Sequence, residues 1–356
     1  MANEAGPTSG EATGSRHLGL DLGGTNLKWT VVEHDGADWR ILDRGSVATR
    51  SGGPDAIVPQ LGEVGAATIA RWPNVITAGV GIPGLYDPKA GVTRFLVNIR
   101  GAWDGYQVVA PLQADLGVPV ALINDARAFG LAELRLGAGR GASSLVGLTL
   151  GTGVGGVIAV DGKVHQGHDG TAGEIGHQTI DPDGPDCNCG NHGCLEAFCR
   201  ADRLADACGA PTAEEAVERA RNGDAAALEG LRRVGRYLGI GIGNMITVIS
   251  PDRVVIGGGI APAGDLLLDS AREEIRRRVR TTSVTEVEIV LAELGTWAGS
   301  IGAAVHGAEA AEARQAEAAE AREGEAAEGR QSEARPAAGG LATSDRSGVA
   351  SPARAS

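Results

Sequence analysis

The stretch Asp21-Leu22-Gly23-Gly24-Thr25 lies between two apolar runs, residues 18–22 and 27–32, whose lengths predict strands. Its glycines allow positive φ angles and let a phosphate group approach backbone N–H groups closely. The Thr25 hydroxyl can donate to a phosphate oxygen, and the Asp21 carboxylate at a strand end can hold Mg²⁺ through water. Taken alone, the stretch is equally compatible with an ordinary glycine hairpin.

The second half of the chain repeats this plan. Gly151-Thr152-Gly153 lies between two strand-like runs, residues 144–150 and 154–160, and Gly257-Gly258-Gly259 follows a third apolar run. A strand rather than a helix follows the second glycine turn, which excludes a dinucleotide-binding fingerprint. The chain also lacks the Gly-x-x-x-x-Gly-Lys-Ser/Thr signature. Two phosphate turns and a third glycine turn for adenosine resemble the plan of the sugar kinase and actin ATPase superfamily.

Strand-like and helix-like segments alternate along most of the chain, which predicts an α/β fold. We expect an N-terminal α/β domain over residues 16–124 and a C-terminal α/β domain over residues 125–308. A disordered leader is predicted over residues 1–15. Residues 309–356 form an Ala- and Glu-rich tail that we expect to be largely disordered, although its first part, residues 309–330, could extend the last helix. The predicted helices span residues 54–71, 106–116, 126–136, 228–249 and 266–279, and a further helix starts at residue 299. The remaining predicted strands span residues 41–48, 76–82, 118–123, 253–256 and 287–292.

One histidine and three cysteines, His177, Cys187, Cys189 and Cys194, fall within eighteen residues of an otherwise Cys-poor chain. Structural zinc takes four nitrogen or sulfur ligands in a closed tetrahedron, so this cluster predicts a structural zinc site. The flanking carboxylates of Glu174 and Glu196 would then not be needed by the metal. We expect them to be presented to a ligand instead.

Asn124-Asp125 follows a predicted strand and opens a predicted helix. Both residue types are common helix N-caps. A carboxylate at the C-terminal end of a strand in an α/β domain is also well placed for chemistry. Near two phosphate turns, Asp125 could accept a proton from a hydroxyl group that attacks a γ-phosphate.

These motifs, in this order, resemble the ROK family of bacterial sugar kinases (repressor, open reading frame, kinase) over about residues 17–308. Its most specific marks are Gly173-Glu174-Ile175-Gly176-His177 and the Cys-x-Cys-Gly-x-x-Gly-Cys-x-Glu segment from Cys187 to Glu196. The resemblance implies an actin-like (ribonuclease H-like) ATPase fold with two α/β domains around a cleft. It also implies ATP with Mg²⁺ and a structural zinc on His177, Cys187, Cys189 and Cys194.

The resemblance assigns the catalytic base to Asp125 and the sugar hydroxyls to Asn98, Asn124, Asp125, Glu174, His177 and Glu196. His177 would ligate zinc through one ring nitrogen and face the sugar with the other. The ATP-binding residues would be Asp21, Gly23, Gly24, Thr25, Gly151, Thr152, Gly153, Gly257, Gly258 and Gly259. The chain departs from the family pattern after Asn98, where Trp103 comes one residue later than usual. The family's repressors carry an N-terminal helix-turn-helix domain, for which the residues before the first strand are too few.

We therefore expect ATP-dependent phosphorylation of a hexose at its 6-hydroxyl, with glucose as the first candidate. The alternatives are a kinase for fructose or for an amino sugar such as kanosamine or an N-acetylhexosamine, polyphosphate as the donor, or a sugar-sensing regulator without catalysis. The net charge of −13 argues against nucleic acid or an anionic membrane as the main partner. The metal-spaced cysteines suit a reducing cytoplasm. We also expect a homo-oligomer, either a dimer or a tetramer.

Overall fold

The structure is a computed structural model that describes residues 14–96 and 98–333, with side chains described as far as Glu323. Most of the predicted leader and the last part of the predicted tail, residues 334–356, lie outside the described residues.

The first part of the chain builds a five-stranded sheet from three antiparallel strands and two parallel additions. In the order β3-β2-β1-β4-β7, β2 pairs antiparallel with both of its neighbours, and β4 pairs in parallel with β1 and β7. A separate hairpin of β5 and β6 leaves this sheet after β4. The elements are β1 (Ser15–Leu22), β2 (Asn26–His34), β3 (Trp39–Ala48), α1 (Pro54–Arg71), β4 (Val75–Ile82), β5 (Gly84–Asp87), β6 (Val92–Leu96), α2 (Val109–Leu116) and β7 (Val120–Asn124).

The second part repeats this sheet in the order β10-β9-β8-β11-β12, with the same succession of antiparallel and parallel pairs. Between β10 and β11 the chain inserts the cysteine segment and four helices. The elements are α3 (Asp125–Leu136), β8 (Leu145–Leu150), β9 (Val154–Val160), β10 (Lys163–Val164), α4 (Leu195–Cys199), α5 (Ala201–Cys208), α6 (Ala213–Arg221), α7 (Ala225–Ile249), β11 (Arg253–Gly257), α8 (Asp265–Arg278), β12 (Glu288–Leu291) and α9 (Ala298–Glu333).

Each sheet packs its own apolar core, since alternate side chains of a strand point to one face. Leu20 and Val80 are fully buried in the first core, and Leu148 and Ile256 in the second. The start of α9 lies directly on the first sheet. A Cβ built on Gly19 would lie 1.8 Å from the carbonyl oxygen of Ser300, so only glycine allows this approach. Helix α9 thus follows the second sheet in sequence and packs on the first.

Of the described residues, those up to Ala311 belong to one compact unit, and those from Glu312 to Glu333 belong to another. The predicted extension of the last helix over residues 309–330 is confirmed, because α9 continues to Glu333. Every side chain from Glu312 to Glu323 is exposed, as expected for a helix without an apolar stripe. The division of the first unit into domains at residue 124 stays a prediction. In the described ranges, no helix combines the length and the apolar character needed to cross a membrane.

The predicted helix over residues 106–116 starts three residues later than expected, at Val109. Backbone hydrogen bonds to a neighbouring hairpin explain the difference. The N–H of Val108 donates to the carbonyl of Gly91, and Gln107 forms a bridge with Val92. These contacts hold residues 106–108 against the β5–β6 hairpin, which the sequence patterns did not predict.

Candidate active site

Two cavities of about 570 and 340 Å³ meet at the C-terminal ends of the strands of both sheets. Asp125 lies on the wall that they share, together with Asn98, Thr149 and Gly258. The predicted site residues that line the larger cavity are Asn98, Asn124, Asp125, Gly151, Thr152, Gly153, Glu174, His177, Glu196 and Gly258. Those that line the smaller cavity are Asp21, Gly23, Gly24, Asn98, Asp125 and Gly258. The larger cavity thus combines carboxylates, amides and a histidine, and the smaller one is centred on a glycine turn and an aspartate.

Asp125 is the first residue of α3 and directly follows β7 in the first sheet. Its Oδ1 accepts a hydrogen bond from the N–H of Ala126 at 2.8 Å. Although the carboxylate is open to the cavity, the surrounding protein walls desolvate it and raise its pKa to about 6. The Ala126 N–H and the Arg127 guanidinium act in the opposite direction and lower the pKa. Asp125 is therefore largely a carboxylate at neutral pH and can take up a proton.

Asp21 is the second carboxylate of the site and lies at the end of β1 in the smaller cavity. Burial, followed by the negative charge of Asp125, raises its pKa to about 7, and Lys28 on the paired strand acts against this shift. Two carboxylates with raised pKa values that face one cavity are a suitable place for a divalent cation.

Asn124 is buried and is the N-cap of α3, as the sequence suggested. Its Oδ1 accepts from the N–H groups of Ala126 and Arg127 at 3.0 and 3.3 Å. Its Nδ2 donates to the carbonyl of Gly84 at 3.2 Å. Since one amide hydrogen has no other partner in these contacts, Asn124 can cap the helix and still donate once into the larger cavity.

The predicted zinc ligands lie together. The four ligand atoms of His177, Cys187, Cys189 and Cys194 are all within 4.8 Å of one another. The Sγ atoms of Cys189 and Cys194 are 3.8 Å apart, and Nδ1 of His177 is 3.7 Å from Sγ of Cys187. A tetrahedron with Zn–S bonds of about 2.3 Å has sulfur–sulfur edges of about 3.8 Å. The donor set therefore fits a structural zinc ion.

His177 and Glu196 connect this cysteine cluster to the larger cavity. With Nδ1 of His177 directed at Cys187, its Nε2 lies 3.9 Å from Oε2 of Glu174. Glu196 lies in α4, and its Oε2 accepts from the N–H of Val154, next to the second glycine turn, at 2.9 Å. The cluster thus supports one wall of the cavity.

The family model described as "ROK family" matches residues 17–308. The chain belongs to the ROK family. A glucokinase of Thermotoga maritima is 33% identical over 306 residues, which cover 81% of this chain and 95% of that protein. Among solved structures, a ROK hexokinase from Thermus thermophilus is 33% identical with a TM-score of 0.73, and the match covers 83% of this chain and 99% of that one. A ROK glucokinase from Streptomyces griseus, solved with glucose and AMPPNP, is 30% identical with a TM-score of 0.70, covering 83% and 100%.

The fold predicted from the resemblance is confirmed: this ROK protein has the actin-like ATPase fold, with its two related α/β sheets. The hairpin turns also form as predicted, since β1 and β2 flank Gly23-Gly24-Thr25, and β8 and β9 flank Gly151-Thr152-Gly153. The third turn approaches the second closely. Gly258 has a φ of +90°, and a Cβ there would lie 2.3 Å from the carbonyl oxygen of Leu150.

Three of the predicted ATP-binding residues line neither of these two cavities: Thr25, Gly257 and Gly259. Thr25 is exposed at the tip of the first turn, where its carbonyl accepts from the N–H of Thr49. Gly257 is buried as the last residue of β11, and Gly259 is exposed beyond it. Their roles in this ROK protein stay predictions.

Asn98 lines both cavities with a left-handed backbone, at a φ of +62°. Asparagine tolerates this conformation better than most residues, and such backbone strain is common at functional sites. The longer spacing to Trp103 in this ROK protein therefore does not remove Asn98 from the site.

Among the lining residues that sequence reasoning missed are Phe95, Arg127 and Thr149. Phe95 is 58% exposed at the cavity, on the unpredicted β5–β6 hairpin. Arg127 is a charged residue between the buried residues Ala126 and Ala128 of α3. Because a buried charge needs partners, this position in an apolar stretch could have indicated a specific contact. Thr149 is an interior strand residue in sequence, and nothing in the pattern distinguishes it.

Proposed function

We propose that the protein is an ATP-dependent hexose kinase that transfers the γ-phosphoryl group of ATP to the 6-hydroxyl of glucose. The observation that carries this proposal is the place of Asp125 on the wall shared by the two cavities. One cavity offers hydrogen-bonding groups suited to a sugar, and the other offers a glycine turn suited to phosphates. The similarity to glucokinases, including one solved with glucose and AMPPNP, supports the choice of substrates.

Asp125 would accept the proton of the 6-hydroxyl. As the sugar oxygen bonds to the γ-phosphorus, the bond from that phosphorus to the β,γ-bridging oxygen breaks and ADP leaves. Because the pKa of Asp125 is raised to about 6, the group is ionised at neutral pH and is basic enough to take a proton late in the transfer. Together, the sugar phosphate and ADP carry one more negative charge than the sugar and ATP did. The proton that Asp125 takes up and then releases balances this charge.

The ring hydroxyls would bind along the larger cavity. Glu174 and Glu196 are acceptors for hydroxyl groups, and hydrogen bonds to carboxylates are stronger than those between neutral groups. The Nε2 of His177 points toward Glu174 and is available on the cavity side. Asn98 and Asn124 add amide donors. Bonds of this kind hold the 6-hydroxyl in place beside Asp125.

The phosphates would lie over the two glycine turns. The backbone N–H groups of Gly24 in the first half and of Gly153 in the second can donate to phosphate oxygens. Those of Gly23 and Gly151 donate within their own turns, to the carbonyls of Asn26 and Gly153, and hold the turns in shape. Asp21 would hold Mg²⁺ through water, and the ion would offset negative charge that develops on the transferring phosphoryl group.

A structural zinc on His177, Cys187, Cys189 and Cys194 would hold the wall formed by Glu174, His177 and Glu196. The ligand distances support this assignment. Thiolate ligands require reduced cysteines, in keeping with a cytoplasmic protein, and all five cysteines are free. A homo-oligomer remains part of the proposal.

The test is a coupled ADP-release assay with glucose, fructose, kanosamine and N-acetylglucosamine, each with ATP and with inorganic polyphosphate. We expect the highest kcat/KM for glucose with ATP. A higher kcat/KM for another sugar or for polyphosphate would replace that substrate in the proposal. Sugar binding by calorimetry without ADP release would instead identify a sensing protein without catalysis.

A further inference from the structure

Arg127 lies two residues after Asp125 on α3, and its side chain is only 2% exposed. A guanidinium stays charged at every accessible pH, and its five N–H groups are arranged in a rigid planar fork. Burying such a group is unfavourable unless its donors have acceptors. The position of the acceptors therefore shows what Arg127 holds together.

All of these acceptors belong to one short segment of the second half, residues 171–174. Nε donates to the carbonyl of Ala172 at 3.0 Å, and Nη2 donates to the carbonyls of Thr171 and Ala172 at 2.9 and 2.7 Å. Nη1 pairs with Oε1 of Glu174 at 2.8 Å. One side chain from the helix of Asp125 thus fixes two carbonyls and one carboxylate of a segment that lines the larger cavity.

This segment has little else to hold it in one conformation. Gly167, Gly170 and Gly173 all have positive φ angles, and glycine backbones have the widest conformational freedom. The Thr171 side chain is bonded only locally, to Asp169. Without Arg127, residues 171–174 would keep their short contacts to β9 but lose the tie to α3.

We propose that Arg127 is a positioning residue that orients Glu174 for the sugar and thereby sets the affinity for the sugar. This inference rests on the proposed function. Arg127 engages Oε1 of Glu174, which leaves Oε2, 3.9 Å from Nε2 of His177, for a sugar hydroxyl. The ring hydroxyls are bound both before and during phosphoryl transfer. Loss of this orientation therefore weakens sugar binding equally in the ground state and in the transition state. We therefore expect loss of Arg127 to raise the KM for sugar and to leave kcat nearly unchanged.

The experiment is a double-mutant cycle of Arg127→Met and Glu174→Gln, with kcat and KM measured for glucose and for ATP. The assays are run well above the pKa of Asp125, because Arg127 lowers that pKa and its removal raises it. Under these conditions Arg127→Met should raise the KM for glucose about tenfold or more, while kcat and the KM for ATP change less than about threefold. In the Glu174→Gln background, the same substitution should change the KM for glucose less than about twofold. Arg127→Lys keeps the charge but not the fork, and should show an intermediate KM.

The matched control is Arg135→Met. Arg135 lies on the same helix, pairs with Glu309 and donates to the carbonyl of Gly162, but lines neither cavity. Its replacement should leave the KM for glucose unchanged. If Arg127→Met does not fold, as judged by thermal melting, Arg127→Lys takes its place in the cycle. Independent effects of Arg127 and Glu174, or a loss shared equally by kcat and both KM values, would overturn the proposal.

Calorimetric sugar binding to each variant separates this inference from the proposed function. A wild-type protein that binds glucose without turnover overturns the kinase proposal, and the dissociation constants then replace KM in the same cycle. A wild-type protein that binds no sugar of the panel overturns both.

Discussion

The two halves of the molecule build the same five-stranded sheet, yet they contribute different chemistry. Three residues form each turn, Gly23-Gly24-Thr25 between β1 and β2 and Gly151-Thr152-Gly153 between β8 and β9. Counting back from these turns, Asp21 of the first half corresponds to Thr149 of the second. Likewise, Asp125 follows the edge strand β7, whereas Ala292 follows the corresponding strand β12.

Both carboxylates with raised pKa values therefore lie at strand ends of the first sheet, Asp21 in β1 and Asp125 directly after β7. The second half instead supplies Glu174, His177 and Glu196, which lie in the insertion between β10 and β11. A shared topology places turns and strand ends at equivalent points, but it does not determine which side chains stand there. In the proposed function, strand ends of the first sheet supply the base and the metal-binding carboxylate. The insertion of the second half supplies the carboxylates for the sugar hydroxyls, and each half contributes one phosphate turn.

The largest expected effect comes from the carboxylate at the edge strand of the first sheet. Asp125→Asn should lower kcat at least ~10²-fold, as expected for the loss of a general base, while glucose binding stays within about threefold. ADP release and calorimetric titration measure the two quantities. Turnover close to wild type would remove the proposed difference between the halves.

The pH dependence tests the same residue without a substitution. The pKa of Asp125 is raised to about 6, and a base acts only when it is deprotonated. We therefore expect kcat/KM to be high above this pH and to fall about tenfold per pH unit below it. A profile that stays flat from pH 7 down to pH 5 would contradict the assignment.

The next largest effect should come from the metal cluster of the second half. The purified protein should contain one zinc per chain, and Cys189→Ser should lower the melting temperature and raise the KM for glucose about tenfold. Cys208→Ser is the control, because Cys208 is buried in the helical core outside the cluster. Active protein without stoichiometric zinc would show that the sugar wall does not depend on the metal.

A smaller effect distinguishes the two glycine turns from each other. A Cβ on Gly151 would meet no atom within 4 Å, whereas a Cβ on Gly23 would lie 2.8 Å from the carbonyl oxygen of Asn26. Gly151→Ala should thus raise the KM for ATP several-fold, or about 1 kcal/mol, at an unchanged melting temperature. Gly23→Ala should also lower the melting temperature. Equal melting temperatures for the two variants would show that the first turn is not strained by a Cβ.

The smallest effect is expected beyond both sheets. Removing the residues after Ala311 should leave kcat/KM for glucose and ATP within about twofold of the full-length value. The side chains from Glu312 to Glu323 are exposed, and these residues belong to a separate compact unit. A loss above about tenfold, or ~1.4 kcal/mol, would give the tail a role in activity.

The sequence by itself determined the architecture and predicted most of the polar residues that line the candidate site. Apolar periodicity predicted α1 with its bounds unchanged and the main strands to within a few residues, because each element must bury one face. Asp21, Asp125 and the glycine turns were identified because special backbone geometry and strand-end carboxylates leave local signals. The spacing of His177 and the three cysteines did the same for the metal cluster, since one small ion limits how far apart its ligands can lie.

Only the tertiary structure decided how these local signals combine. Burial raises the pKa values of Asp21 and Asp125, and the charge of Asp125, far away in sequence, raises that of Asp21 further. Arg127 likewise bonds to residues 171–174, which are distant in sequence. The β5–β6 hairpin, which brings Phe95 to the cavity, also left no pattern in the sequence that predicted it. Electrostatic and hydrogen-bond energies follow distances in space, so they become readable only once the two sheets and α3 have brought their strand ends together.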